Sequence, residues 1–392
     1  MNDSIERRPM TTVRRRPANR RQLIVEAAGH RFSQQGFENV AMGDIAADVH
    51  IGASALYRHF SSKSELLCAA LDAELDRLGQ AITAGVSEAE DLDRNLESVA
   101  QFAVTNRRAP LLWEREARHL TAEEWSPRAA NLREVRDRFI AALSGGNADE
   151  GAVLRARAAL SALLSPAFHS VSLPPDAFRS SLQHLAKRIL AAKLPAVGKR
   201  TVPAAARGLA PASKRELIIQ AGLRIFREQT YAGTRLEDIA AEVGLSTSSL
   251  YNHVESKADI LETVLLRGNG YLHVTLDDIL ASASDEEDAL RRLVGVFASF
   301  AVRRAEVTDA MVTDLRAPGN TTEQLRQGQR EYVEEWVHLF MALHPGRGRQ
   351  AAHIEVQGTI MTIIDIARDR QYGCVDNLAD LLTSLATQVL IY

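Results

Sequence analysis

Residues 44–67, DIAADVHIGASALYRHFSSKSELL, return as residues 238–261, DIAAEVGLSTSSLYNHVESKADIL, 194 positions later in a chain of 392. Comparing 21–67 with 215–261 needs no gap, and 18 of the 47 positions are identical. A repeat of about 195 residues is too long for a solenoid unit. The chain must therefore be a duplicated pair: a small head and a larger body, twice.

Composition says what the bodies are made of. Apolar residues are 46% and charged residues 25%, enough to bury real cores. Aromatics are only 5%, while Ala, Leu and Arg are common, which favours helices over strands. No apolar run of 18 residues occurs, so no membrane span is expected. The N-terminus is Arg-rich without an apolar h-region, so it does not read as a secretory signal. Cys68 and Cys374 sit in helical apolar patterns and make neither metal-ligand spacing nor a disulfide framework. A reducing cytoplasm fits, and no cofactor or metal is expected. Net charge is −3, but it is segregated. Residues 1–67 hold ten Lys+Arg against seven Asp+Glu, and residues 194–261 hold nine against seven, leaving −8 for the rest. The repeated stretches are thus the basic parts of an acidic protein, a charge pattern that attracts phosphate.

Periodicity divides the chain further. Residues 1–19 read as a disordered basic arm, 20–63 as the first head and 64–193 as the first body. The Pro-, Ala- and Lys/Arg-rich stretch 194–213 reads as a linker, 214–257 as the second head and 258–392 as the second body. Leu23, Ile24, Ala27, Ala28 and Phe32 place an amphipathic helix ahead of Gly36. Ser61 or Ser62 caps a long helix, with Glu65 three residues after Ser62 as in a capping box, and the face of that helix is Leu67, Leu71, Leu75, Leu78 and Ile82. Helices are predicted over 88–107, 110–120, 122–143, 150–169 and 175–193. The second body repeats them over 257–281, 285–303, 306–316, 321–343, 347–371 and 375–391.

The repeated stretch has the pattern of a helix-turn-helix. Ile45, Ala46 and Val49 form the apolar edge of a short helix, Ile51 lies in the turn, and Leu56 and Tyr57 lie on the next helix. Small residues at 46 and 47 let the two helices approach closely. The second helix can enter a major groove about 12 Å wide. Its exposed positions should be Ala53, Ser54, Ala55, Arg58 and His59, and in the second copy Thr247, Ser248, Ser249, Asn252 and His253. A helical hairpin buried in a core is the alternative for one such stretch. Two copies at equivalent places, each followed by lysine, weigh against it.

The pattern IA-x(4)-[GH]-[IL]-x(4)-LY-x-[HN]-[FV]-x-S-K-x-x-[IL]L resembles the DNA-binding head of the TetR/AcrR transcriptional regulators. The resemblance implies an all-α fold: two units, each a three-helix head and a helical ligand-binding and dimerisation body, paired within one chain. A subset of the family fuses two units. The actinobacterial repressors of mce-type lipid-uptake operons include one such fusion, and the VRRRP arm is similar to it. The resemblance implies phosphate contacts for Tyr57, His59 and Lys63 and for Tyr251, His253 and Lys257, with Thr234 and Arg235 preceding the second helix. The lysines are otherwise solvated charges, and the histidines otherwise packing residues. Arg14, Arg15 and Arg16 are placed in an adjacent minor groove, or else in a solvated tail. The first head departs from the pattern: His50 stands where a turn glycine is usual, and Gly52 where a serine cap is usual.

The two heads differ at Ala53/Thr247, Ala55/Ser249 and Arg58/Asn252. Arg prefers guanine and Asn adenine, so an asymmetric double-stranded operator is expected. Helices 150–169 and 175–193 should pack on 347–371 and 375–391 as an intramolecular pseudo-dimer. The free chain is then a monomer or a homodimer. The bodies carry aromatics at helical spacing, Phe102, Trp113, Trp125, Phe139 and Phe168 in the first and Tyr271, Phe297, Phe300, Tyr332, Trp336 and Phe340 in the second, with Met311 among the latter. They line an effector pocket or fill the core. A stripe of His353, Gln357, Met361 and Asp365 either orients a ligand or specifies the join between halves. By resemblance, a small apolar, lipid-like effector shifts the heads and releases a repressor from DNA. No GxSxG, P-loop, HExxH or strand–GxGxxG–helix supports an enzyme. A helical interaction scaffold that does not bind DNA is the remaining alternative.

Overall fold

The structure, a computed structural model, describes residues 20–86, 92–145, 149–200, 209–229, 233–313, 320–369 and 371–392. Arg14, Arg15 and Arg16 lie outside them. The first half contains α1 (Arg20–Gln35), α2 (Met42–Asp48), α3 (Ala53–Tyr57), α4 (Lys63–Val86), α5 (Leu92–Thr105), α6 (Ala109–Leu111), α7 (Ala122–Ser144), α8 (Glu150–Leu164) and α9 (Pro175–Ala191). The second contains α10 (Lys214–Gln229), α11 (Leu236–Glu242), α12 (Thr247–Tyr251), α13 (Lys257–Ser282), α14 (Glu286–Arg303), α15 (Ala305–Thr313), α16 (Asn320–Leu343), α17 (Arg349–Arg368) and α18 (Leu378–Leu390). Among these residues no helix is long and apolar enough to cross a membrane.

Local chemistry sets most boundaries. Thr121 caps α7 by accepting from Glu124 N at 3.2 Å, and Glu124 returns the bond to Thr121 N at 2.8 Å. Asp149 caps α8, and Pro175 opens α9 where a missing N–H costs nothing. The predicted helix over 110–120 is instead three short turns. Pro110 opens α6, Leu112–Glu116 widens to a π-helical turn, and Ala117–His119 tightens to a 3₁₀ turn. The widened turn sends Glu114 toward the other half and Glu116 toward the first head. Likewise α8 ends at Leu164 rather than 169, and a 3₁₀ turn (Ser165–Phe168) carries Pro166. Proline cannot donate the bond a continuing helix needs.

The leucine face of α4 is buried: Leu67, Leu71, Leu75, Leu78 and Ile82 are each at most 1% exposed. The join between halves is the expected one. α17 packs on α8, α9 and the turn after α8, while α18 packs on α9 as well as on α14 of its own body. Gly358 on α17 makes the close approach possible, because a methyl group there would overlap the buried Leu185 side chain. Beside it Thr362 Oγ1 donates to Ala158 O across the join at 3.2 Å.

Two ion clusters flank this small-residue seam. At one end the Glu355 carboxylate, 1% exposed, meets Arg188 of the first half at 3.0 Å and Arg347 at 3.4 Å. At the other, Arg368 pairs with Glu114 of the first half, with Asp309 at 3.1 Å and with Asp365 at 3.1 Å. Burial would raise the Asp365 carboxyl, but Arg368, Arg136, Arg157 and the Ser161 hydroxyl hold it well below the usual carboxylate range. Of the polar stripe on α17, Asp365 therefore belongs to the join. The linker is tethered where it leaves α9: Gly198 N donates to Asn377 Oδ1 at 2.7 Å, and Asn377 Nδ2 donates to Ala196 O at 3.0 Å.

Candidate nucleic-acid interface and effector cavity

Each head folds around one buried leucine of its second short helix, Leu56 or Leu250, both fully buried. The neighbouring positions then point outward. Ala53, Ser54, Arg58 and His59 are exposed, with Ala55 half-buried. Ser248 and Asn252 are exposed, with Thr247, Ser249 and His253 half-buried. Tyr57 and Tyr251 are each 54% exposed at equivalent positions. Neither α3 nor α12 is packed inside the molecule.

The heads differ in how they are closed. Ser246 caps α12 by accepting from Ser249 N at 3.2 Å, whereas Gly52 offers α3 no side-chain cap. The turn between the paired helices needs left-handed backbone. Gly244 has φ +68° and His50 has φ +53°, the one non-glycine residue with positive φ among the described residues. That conformation costs an L-residue about 1–2 kcal/mol, of which glycine's extra backbone freedom gives part back. His50→Gly should stabilise the chain by about 0.5–1 kcal/mol in denaturant titration, and a destabilised variant would refute the strain.

Three expected contacts need correction or redefinition. Thr234, expected at the DNA face, is 2% exposed and belongs to the head's interior. Arg235 beside it is exposed, and its backbone N–H is held by Asp238 Oδ2 at 2.9 Å. The Lys63 ammonium donates to the carbonyls of Phe37 at 2.8 Å and Val40 at 3.1 Å, and lies 4.4 Å from the Phe37 ring centre. Its first task is to close the α1–α2 loop. Lys257 is half-buried; burial lowers its pKa, Glu38 of the first half opposes that and Arg118 adds to it. The second head's lysine thus feels charges from the first unit.

The first head is also latched to its body. Phe37 N donates to Glu116 Oε2 at 2.7 Å, and Glu116 is 2% exposed. His119 stacks on Phe37 with ring centres 5.0 Å apart. Burial, with Arg118 nearby, pushes that imidazole down to about 4, so it is neutral at pH 7. Sequence reasoning missed Glu116 and His119, because their partner lies 79 residues away from Glu116.

The predicted lining residues fall differently in the two bodies. In the first, Phe102 and Phe139 are core residues, 4% and 1% exposed. Trp113 and Phe168 line a crevice of only about 30 Å³, the size of one water. In the second, a cavity of about 730 Å³ is lined by Phe297, Met311, Tyr332, Gln357 and Met361, and Phe168 of the first half reaches its wall. Trp336 and Phe340, expected as lining, are fully buried core. Phe300 is buried beneath Tyr271, their rings 5.3 Å apart, and neither lines the cavity. His353 also borders it, paired with Glu334 at 3.1 Å.

The model of the bacterial regulatory proteins of the tetR family matches twice, over residues 24–70 and 218–264, each spanning one head. The chain carries two TetR-type heads in tandem. An HTH-type transcriptional regulator of Staphylococcus aureus (strain USA300) is 32% identical over 99 residues, covering 24% of this chain and 54% of the relative. Another, from strain MRSA252, is 39% identical over 64 residues, covering 16% of this chain and 35% of the relative. The chain spans about half the length of the curated relatives it matches. Among solved structures, a TetR-family transcriptional regulator from Bordetella parapertussis 12822 aligns at 22% identity and TM-score 0.43, over 46% of this chain and 95% of that one. The matched stretches contain both candidate TetR-family recognition helices, α3 and α12, and the capped starts of α4 and α13.

Proposed function

We propose that this TetR-family chain is a transcriptional repressor that binds one asymmetric double-stranded operator. It does so with the heads at residues 20–63 and 214–257, carried on bodies at 64–193 and 258–392. The observation that carries the reading is a pair of solvent-facing, non-identical helices, α3 and α12, on bodies joined through a seam within one chain. Arg58 suits a guanine edge and Asn252 an adenine edge. In this reading Tyr57, Tyr251, His59, His253 and Arg235 meet backbone phosphate. A small apolar effector in the second body's cavity favours a state in which the heads no longer match the duplex, and only its differential affinity for that state counts.

A gel shift on the DNA flanking the chain's own gene, titrated with salt, tests this. Specific binding should weaken steeply as ionic strength rises. Arg58→Ala and Asn252→Ala should each cost about 1–3 kcal/mol and relax preference in a different half-site. If both variants keep wild-type affinity and preference, α3 and α12 are not the reading helices. Binding absent at every salt concentration would favour a protein-interaction scaffold.

A further inference from the structure

The first head rests on a short element of its own body, and that element is pinned to the other half. It is the π-helical turn Leu112–Glu116 with the 3₁₀ turn Ala117–His119 behind it. Toward the head, the turn packs on α1 and α4. Leu112, 1% exposed, meets them where Gly29 of α1 faces Ala70 of α4. Glu116 holds the Phe37 N–H at 2.7 Å. The loop held there runs directly into α2, and α2 carries α3 through a turn closed by Ile51 N donating to Ala46 O at 2.9 Å. The pose of α3 is therefore set in part from Phe37. Away from the head, the same turn crosses the join. Arg115 Nε donates to Val312 O of α15 at 2.9 Å, and Glu114 pairs with Arg368 of α17. Arg115 and Val312 both border the second body's cavity, and the guanidinium carbon lies 6.0 Å from the centre of the Phe168 ring, also on its wall. Neighbouring residues on a helix point about 100° apart, so Glu114, Arg115 and Glu116 fan out to different partners. The element in the same place of the second half, α15, is regular α-helix over Ala305–Thr313. The second head has a different tie: Arg215 of α10 donates to His253 O at the end of α12 and to Asp259 of α13.

We propose that Arg115 and Glu116 are positioning residues through which the second body holds the first reading helix. Arg115 fixes the turn against α15, and Glu116 fixes the head against the turn. The inference rests on α3 being a reading helix. It adds that regulation runs crosswise: the cavity wall of the second half and the head of the first half share one element. Drawing Arg115 off Val312 loosens the first head, while the second keeps its tie through Arg215.

Hydrogen exchange of the full chain, followed amide by amide, tests this without DNA. Arg115→Met keeps most of the stem and removes the donor. It should speed exchange of the Phe37 amide about tenfold, the value of one hydrogen bond to a charged group. The Ile51 amide in the first head's turn should follow. Its counterpart Leu245, which donates to Ala240 O at 2.8 Å in the second head, should not change. Arg115→Lys, which keeps a donor, should retain the protection of Phe37. Glu116→Leu should speed Phe37 at least as much, and adding Arg115→Met to it should then change Phe37 little, because the two residues act in series. Phe37 exchange indifferent to Arg115→Met, a speed-up shared equally by Leu245, Arg115→Lys behaving as Arg115→Met, or additive effects in the double variant would each overturn the proposal. A gel shift is read separately. A chain with the stated exchange pattern that binds no DNA keeps the coupling and loses the regulatory reading.

Discussion

Arg368→Met is expected to destabilise the chain by about 3–5 kcal/mol, the usual cost of stranding buried charge. Arg368 is 12% exposed and faces three carboxylates, of Glu114, Asp309 and Asp365. Burial alone would depress its pKa, but those carboxylates reverse this and raise it. Methionine matches the length of the stem but leaves the carboxylates facing one another. Because Glu114 belongs to the first half and Asp365 to the second, the loss should appear as weakened pairing of the bodies. Chemical denaturation gives the magnitude. Adding Asp365→Asn should recover part of it, since one of the stranded charges is removed, and a double-mutant cycle would then show strong coupling. A loss below about 1 kcal/mol, the range of exposed pairs, would mean that water reaches the cluster and that it does not hold the halves.

Gly358→Leu is expected to cost about 3 kcal/mol or more, at the upper end of overpacking. The added side chain must enter where α17 meets Leu185, Ser165 and the carbonyl of Ala162, all of the first half and with no room even for a methyl group. Neither partner can yield easily: Leu185 and Ser165 are fully buried. The halves should separate locally, so the variant should lose affinity for a full operator while each head keeps its preference for its own half-site. Limited proteolysis and operator binding measured together check this. A variant with native melting behaviour and native operator affinity would show that the seam is not what spaces the heads.

Much of the architecture can be read locally. Ser62 caps α4, its Oγ accepting from Glu65 N at 3.0 Å, while Glu65 accepts from Ser61 N at 2.7 Å, one residue ahead of the cap. Leu378, Leu381, Leu382, Leu385 and Val389 are all buried, as an apolar stripe on the last helix predicts. Outward positions on α3 and α12 follow from the leucine each helix buries. The same reasoning fails where a residue's partner is remote. The resemblance made Lys63 a phosphate ligand, yet its ammonium meets carbonyls at 37 and 40. The resemblance set Thr234 at the DNA face, but it is buried in the head.

The cavity shows the limit most clearly. Helical spacing put Phe102, Phe139, Trp336 and Phe340 on inward faces, and they are inward; all four are core rather than lining. A void is the small difference between the space helices enclose and the volume side chains fill, and no one helix carries that information. By itself the sequence determined the duplication, the helical class, the outward residues of α3 and α12 and the helices that join the halves. Each follows from patterns a few residues long or from direct repetition. Tertiary structure alone decided that the second body's cavity borrows a wall from the first half, His169 included, and that Arg368 and Glu355 anchor the seam. Those outcomes depend on groups brought together from more than 100 residues apart, where packing and charge compensation, not periodicity, choose the partner.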